Sequence, residues 1–254
     1  MAFIFAGNWK MNPSSANDAK NLFNSYKKIS KKFIRRGVSV IFAPATPHIG
    51  LFFGTKFPKN LKMSAQDTSI ESQGAFTGRI SPVQVFGLGV DYVILGHSEQ
   101  REFGDTSTLI SHKIKSALKA KLKPIVCIGE LKRELDGEFW HELKNQIEET
   151  VFGLTNKDIT NIIIAYEPVW AVGETSSGPM SPEDLHETVL FIRKVFSNLF
   201  GGKISKNLLI LYGGSVFSHN ANDLFRIGNV SGFLVGRESL NKIEVEKIIQ
   251  AALG

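Results

Sequence analysis

Cysteine is nearly absent from this 254-residue chain: Cys127 stands alone, so no intrachain disulfide can form, and a disulfide-stapled secreted scaffold is excluded. Proline is sparse, and no stretch rich in Pro, Gly and Ser marks a linker between domains. No apolar run approaches the roughly 20 residues that cross a bilayer. The first ten residues are apolar, without a basic leader or a small-residue cleavage site, so a cytoplasmic protein with no membrane partner is expected. The six histidines, at positions 48, 97, 112, 141, 186 and 219, include no pair at metal-ligand spacing, and neither a metal nor a cofactor is expected. A Walker-type phosphate loop is missing. Gly87-Leu88-Gly89 precedes an apolar run where a dinucleotide loop would follow one.

With 43% hydrophobic and 21% charged residues, the composition suits a globular fold with a sizeable core. Lys and Arg outnumber Asp and Glu by 30 to 24, an excess able to attract a small anion or a phosphate backbone. The densest basic run, Lys27, Lys28, Lys31, Lys32, Arg35 and Arg36, alternates with Ile29, Phe33 and Ile34 at helical spacing. That pattern reads as a solvated helix face, and no nucleic-acid partner is expected.

Eight short apolar runs recur: 2–7, 38–43, 61–65, 91–96, 124–129, 162–167, 208–213 and 232–236. Most are continuous in Val, Ile and Leu, as strands covered on both faces must be, which is the condition of a parallel sheet. Helical stripes lie between them: Leu22, Tyr26, Ile29 and Phe33; Ile110, Ile114, Ala117 and Lys121; Leu185, Val189, Ile192, Phe196 and Leu199. Ser181, Pro182, Glu183 and Asp184 make a helix start, with a hydroxyl cap, a first-turn proline and acids at the positive helix end. Eight βα units in this length predict an α/β fold, a closed (β/α)8 barrel forming one domain over 1–254.

In such a barrel the chemistry sits where strands end. The polar residues just past the apolar runs are Asn8 and Lys10, Gln66, His97 and Glu99, Glu167, Gly213 to Ser215, and Gly236. Gly-Asn-Trp-Lys-Met-Asn (7–12), Gly-His-Ser-Glu (96–99), Ala-Tyr-Glu-Pro-Val-Trp-Ala (165–171), Tyr-Gly-Gly-Ser-Val (212–216) and Leu-Val-Gly (234–236) stand in that order at that spacing. Together they resemble the motifs of the triosephosphate isomerase family, across nearly the whole chain.

The resemblance implies a TIM barrel that interconverts dihydroxyacetone phosphate and glyceraldehyde 3-phosphate. Moving a proton between neighbouring carbons needs one base that contacts both, and Glu167, stiffened by Pro168 after an Ile-Ile-Ile-Ala-Tyr run, suits that role. A fixed donor at the carbonyl stabilises the enediolate, and His97, at the start of a short helical turn where an imidazolium is disfavoured, suits that one. Lys10 supplies a cation for the phosphate and the charged oxygen, and Asn8 orients the carbonyl. By resemblance Glu99 arranges Lys10 and His97; a purely structural ion pair is the other reading. Gly213, Gly214, Ser215 and Gly236, with the backbone of Arg237, form the expected phosphate cradle. The long polar stretch 168–178 is the expected lid, with Gly173 adding a backbone donor.

The resemblance also implies a homodimer through the 66–81 loop, with Thr77 bracing the partner's site and Phe76 at its apolar tip. Three departures from the family pattern stand out: Gly173-Glu174-Thr175-Ser176-Ser177-Gly178 at the lid tip, Gln100 in Ser-Glu-Gln-Arg, and Arg79 after Gly-Ala-Phe-Thr-Gly. Arg237 also replaces a second glycine after the eighth run. Two rivals remain compatible with the residues alone: a Schiff-base lyase using Lys10 as nucleophile, and a binding protein on an inactive barrel. Core packing accounts for Cys127.

Overall fold

The structure, a computed structural model, describes residues 3–133, 137–171 and 179–254. Eight strands, β1 (Ile4–Asn8), β2 (Ser39–Ala43), β3 (Leu61–Ala65), β4 (Tyr92–Leu95), β5 (Lys123–Ile128), β6 (Ile163–Tyr166), β7 (Ile210–Tyr212) and β8 (Gly232–Val235), pair in parallel in chain order. β8 returns to β1, with Ile4 opposite Gly232 and Gly7 opposite Val235, so the sheet closes into a (β/α)8 barrel.

Among the described residues the helices are α1 (Ala16–Phe33), α2 (Thr46–Ile49), α3 (Pro82–Gly87), α4 (Ser98–Glu102), α5 (Ser107–Lys119), α6 (Glu138–Thr150), α7 (Asn156–Ile159), α8 (Pro182–Phe200), α9 (Gly202–Asn207), α10 (Ala221–Arg226) and α11 (Lys242–Leu253). The strands read as unbroken apolar runs because each feeds two cores. Ile4, Ala6, Ile41, Ile125, Ala165 and Leu211 fill the barrel interior. Their alternates, such as Phe5, Val40, Phe42 and Val126, pack outward against the helices.

The helix signals hold with three adjustments, the first being that Leu22 is only half-buried and Phe23 takes its place in the core. In α1, Ala19, Phe23, Tyr26, Ile29 and Phe33 are buried at three- and four-residue spacing, and the Ser15 hydroxyl accepts the Asp18 N–H. The Ser181 hydroxyl caps α8 in the same way through Asp184 N–H, with Pro182 at its start. Leu199, expected on the buried stripe of α8, is exposed, because the last turn runs past the core. Lys121 lies outside α5: it has a φ of 68° in a left-handed turn that ends the helix, with Leu122 N–H returning to Ala117 O.

A buried lysine anchors the longest connection on the catalytic side. Lys113, on α5, donates to both oxygens of Asp67 in the 66–81 loop and of Asp105, at 2.7 to 3.0 Å. It is almost fully shielded from solvent, and those carboxylates compensate the burial of its ammonium. Burial raises the Asp67 carboxyl above its ordinary value even though Lys113 opposes that rise. Replacing Lys113 by Ala strands two carboxylates, and a loss of about 3–5 kcal/mol in unfolding free energy is expected. Urea denaturation followed by circular dichroism measures it; an unchanged midpoint would show that the anchor carries no net stabilisation.

Candidate active site

The predicted polar residues converge on one mouth. β1 ends at Asn8, whose Oδ1 accepts the Lys10 N–H at 3.0 Å. Lys10 sits at a φ of 51°, a left-handed conformation that costs energy in a residue with a Cβ. The neighbours hold it there. Gln66, at the end of β3, donates from Nε2 to Lys10 O at 2.8 Å and to Ala43 O at 2.9 Å. The ammonium that this bend presents lies 2.6 Å from Glu99 Oε1.

His97 follows β4 and caps α4. Its Nδ1 accepts the Glu99 N–H at 3.2 Å, which requires that nitrogen to carry no proton. That leaves Nε2, which faces the cavity and Glu167, as the donor nitrogen. Glu99 thus acts on two neighbours at once, through its N–H on His97 and its carboxylate on Lys10. Arg101, two residues on, braces the turn beneath: it donates to Gly96 O at 2.9 Å and to Cys127 O at 3.2 Å.

Glu167 follows β6, and its N–H bonds Ile128 O at 2.8 Å. Its carboxyl group is buried, and Oε1 stands 3.5 Å from His97 Nε2. Two glycines make room. A Cβ on Gly129 would lie 1.9 Å from Glu167 O, and one on Gly213 would lie 2.4 Å from Glu167 Cγ. Gly213 also gives its N–H to Tyr166 O, at 2.8 Å, and its bareness gives Glu167 its position. Gly214 and Ser215 donate their backbone N–H groups to no partner among the described residues. Gly236, past the neighbouring strand β8, opens the 3-10 turn Arg237–Leu240, with the Arg237 side chain exposed at the rim. Asn8, Lys10, His97, Glu167, Gly213, Gly214, Ser215, Gly236 and Arg237 line one cavity of about 170 Å3. That is below the roughly 300 Å3 at which drug-sized ligand sites begin, and it suits a small substrate.

Three contributions escaped the sequence reading. Glu130, fully buried after β5, accepts the Tyr166 hydroxyl at 2.8 Å and Trp170 Nε1 at 2.9 Å. With the Ser215 hydroxyl on Ala171 O at 2.9 Å, it fastens the start of the 168–178 stretch. Residues 172–178, including Gly173, lie outside the described residues. Cys127 fills the barrel interior as expected, but it also abuts Glu167; burial first, and that carboxylate second, push its thiol well above the ordinary value. The position of Glu130 at a strand end was a usable signal, while the partners of Arg101 and Cys127 lie far along the chain.

A closed parallel barrel with a buried carboxylate facing an imidazole, and open backbone donors on the wall of a small cavity, defines an enzyme of the proton-transferring barrel class. The family model described as triosephosphate isomerase matches residues 3–252. The chain belongs to that family. It is 38% identical to the triosephosphate isomerase of Coprinopsis cinerea and 37% identical to that of Carboxydothermus hydrogenoformans, each match covering 98% of both chains. Identity to the Thermoanaerobacter pseudethanolicus triosephosphate isomerase is 35%, over 97% of this chain and 98% of the relative.

The steric arrangement around Glu167 is testable. Gly213→Ala drives a methyl group into its side chain, so turnover should fall at least tenfold while circular dichroism stays unchanged; full activity would show that the carboxylate tolerates displacement. The Cys127 thiol, neutral and buried, should react with a disulfide reagent only at the rate of unfolding. Stoichiometric labelling of the native protein within seconds would contradict its placement.

Proposed function

We propose that this chain interconverts dihydroxyacetone phosphate and D-glyceraldehyde 3-phosphate through an enediolate, with Glu167 as the base and His97 as the electrophile. The observation that carries this reading is the 3.5 Å approach of His97 Nε2 to Glu167 Oε1 at the floor of the cavity. A carboxylate beside an N–H donor can take a proton from one carbon while the donor steadies the adjacent oxygen, then return the proton to the neighbouring carbon. A neutral imidazole serves better here than a charged one, because it donates and recovers its proton within the same cycle. Lys10 and Asn8 bind and orient the substrate, Glu99 positions the ammonium and the imidazole, and Gly214, Ser215, Gly236 and Arg237 offer backbone donors to the phosphate. The lid role of 168–178, with Gly173 as a donor, belongs to the same proposal.

The Schiff-base rival asks Lys10 to act as a neutral amine, and the 2.6 Å ion pair with Glu99 works against that. The chain acts as a single domain in the cytoplasm, as a homodimer through the 66–81 loop. Met11, Phe76 and Phe103, exposed to 92%, 46% and 84%, leave an apolar surface on the connections after β1, β3 and β4, which supports that interface. Thr77 and Arg79 are exposed on the same loop, available to a partner. Arg79 and Gln100 together leave an interface less dependent on one ion pair.

Glu167→Asp withdraws the carboxylate by one methylene, and a coupled isomerase assay should show kcat reduced by roughly 10²–10⁴-fold with the fold retained. Undiminished turnover would remove Glu167 as the base. Sedimentation equilibrium should give twice the chain mass, with Phe76→Asp shifting the protein to monomer; a wild-type monomer would refute the interface.

A further inference from the structure

The face of the barrel opposite the candidate active site gathers charge of one sign. Counting α7 and α9 as part of them, the connections from helices into β2 through β8 contain eight Lys or Arg and only two acids. Both acids are engaged: Asp91 pairs with Lys62 at 3.2 Å, and Asp158 accepts the Thr155 N–H and hydroxyl. Lys56, Lys59, Lys121, Lys203 and Lys206 are exposed, and no ion pair engages them among the described residues. Helix stability does not account for all of them. Lys203 lies in the first turn of α9, where the helix dipole disfavours a cation, and Lys59 lies clear of any helix.

The same connections leave large apolar side chains in solvent. Ile34, Phe53, Phe152, Leu209 and Ile227 are 38% to 77% exposed, and each belongs to a segment entering a strand. Cations interspersed with exposed aliphatic and aromatic groups, ringed around one end of a closed barrel, match a bilayer: the charges meet anionic headgroups, and the apolar groups reach the acyl boundary. Binding to nucleic acid would use the charges but leave the aliphatic groups without a role.

We propose that this end of the barrel is a peripheral docking surface for an anionic lipid bilayer, occupied with the active-site mouth turned outward. The expectation of no membrane partner concerned spanning segments, and surface docking needs none.

Full-length protein should co-sediment with phosphatidylcholine vesicles containing about one-third phosphatidylserine, not with phosphatidylcholine alone, and release at about 1 M salt, where screening is short-ranged. At about fivefold per cation lost, K203E/K206E should weaken binding by about 25-fold, and R35E/K59E similarly. K20E/K194E, an equal charge change on exposed helix sides, should leave it within about threefold. Isomerase turnover of all three variants should remain, reporting that they fold. F53S should weaken vesicle binding but not retention on heparin. Failure to sediment with anionic vesicles at low salt, equal loss in K20E/K194E, or tighter binding to a DNA duplex with F53S indifferent would each overturn the proposal.

Discussion

A carboxylate that must touch carbon cannot also be tied down by strong hydrogen bonds, so its position has to come from everything around it. Glu167 is held in this way. Its backbone is fixed by the Ile128 carbonyl, Gly129 lets the adjacent strand close on that backbone, and Gly213 leaves a slot for its side chain. Cys127, neutral in its buried setting, closes the interior side. These supports come from the ends of β5, β6 and β7, and His97 comes from β4, so the distance between carboxylate and imidazole is set by the packing of four neighbouring strands. Interiors packed as tightly as this one yield little, and an added methyl group at either glycine displaces the carboxylate.

The second constraint is electrostatic and converges on Glu99. Its N–H fixes the His97 tautomer and its carboxylate receives the Lys10 ammonium, so one residue on a five-residue helix sets the state of two others. Lys10 reaches that carboxylate through a left-handed backbone held by Asn8 and Gln66. Local strain is thereby exchanged for a cation aimed into the cavity.

The strands were legible because parallel pairing buries both faces and leaves a continuous apolar signature, and the cap at Ser181 announced its helix. Asn8, Lys10, His97, Glu99, Glu167 and Gly236 were legible as polar or bare residues at strand ends. What escaped depends on partners distant in sequence. Lys113 reads as one more helix lysine until Asp67 and Asp105 fold onto it, and Gly213 reads as part of a phosphate cradle until Glu167 lies against it. The cations of the far end are scattered over five separate connections, and only the Lys27 to Arg36 run was dense enough to notice.

Ring closure also dictates when the site can exist. Asn8 and Lys10 leave β1 near the start of the chain, yet Gly236, which lies against Lys10 in the cavity wall, comes just beyond β8, and β1 finds its second neighbour only there. During synthesis, seven strands can collapse while β1 waits with one edge open to water, a state prone to pairing with the wrong chain. The ribosome must deliver the eighth strand before any copy becomes competent, so fragments truncated ahead of it are inert and sticky rather than partly active.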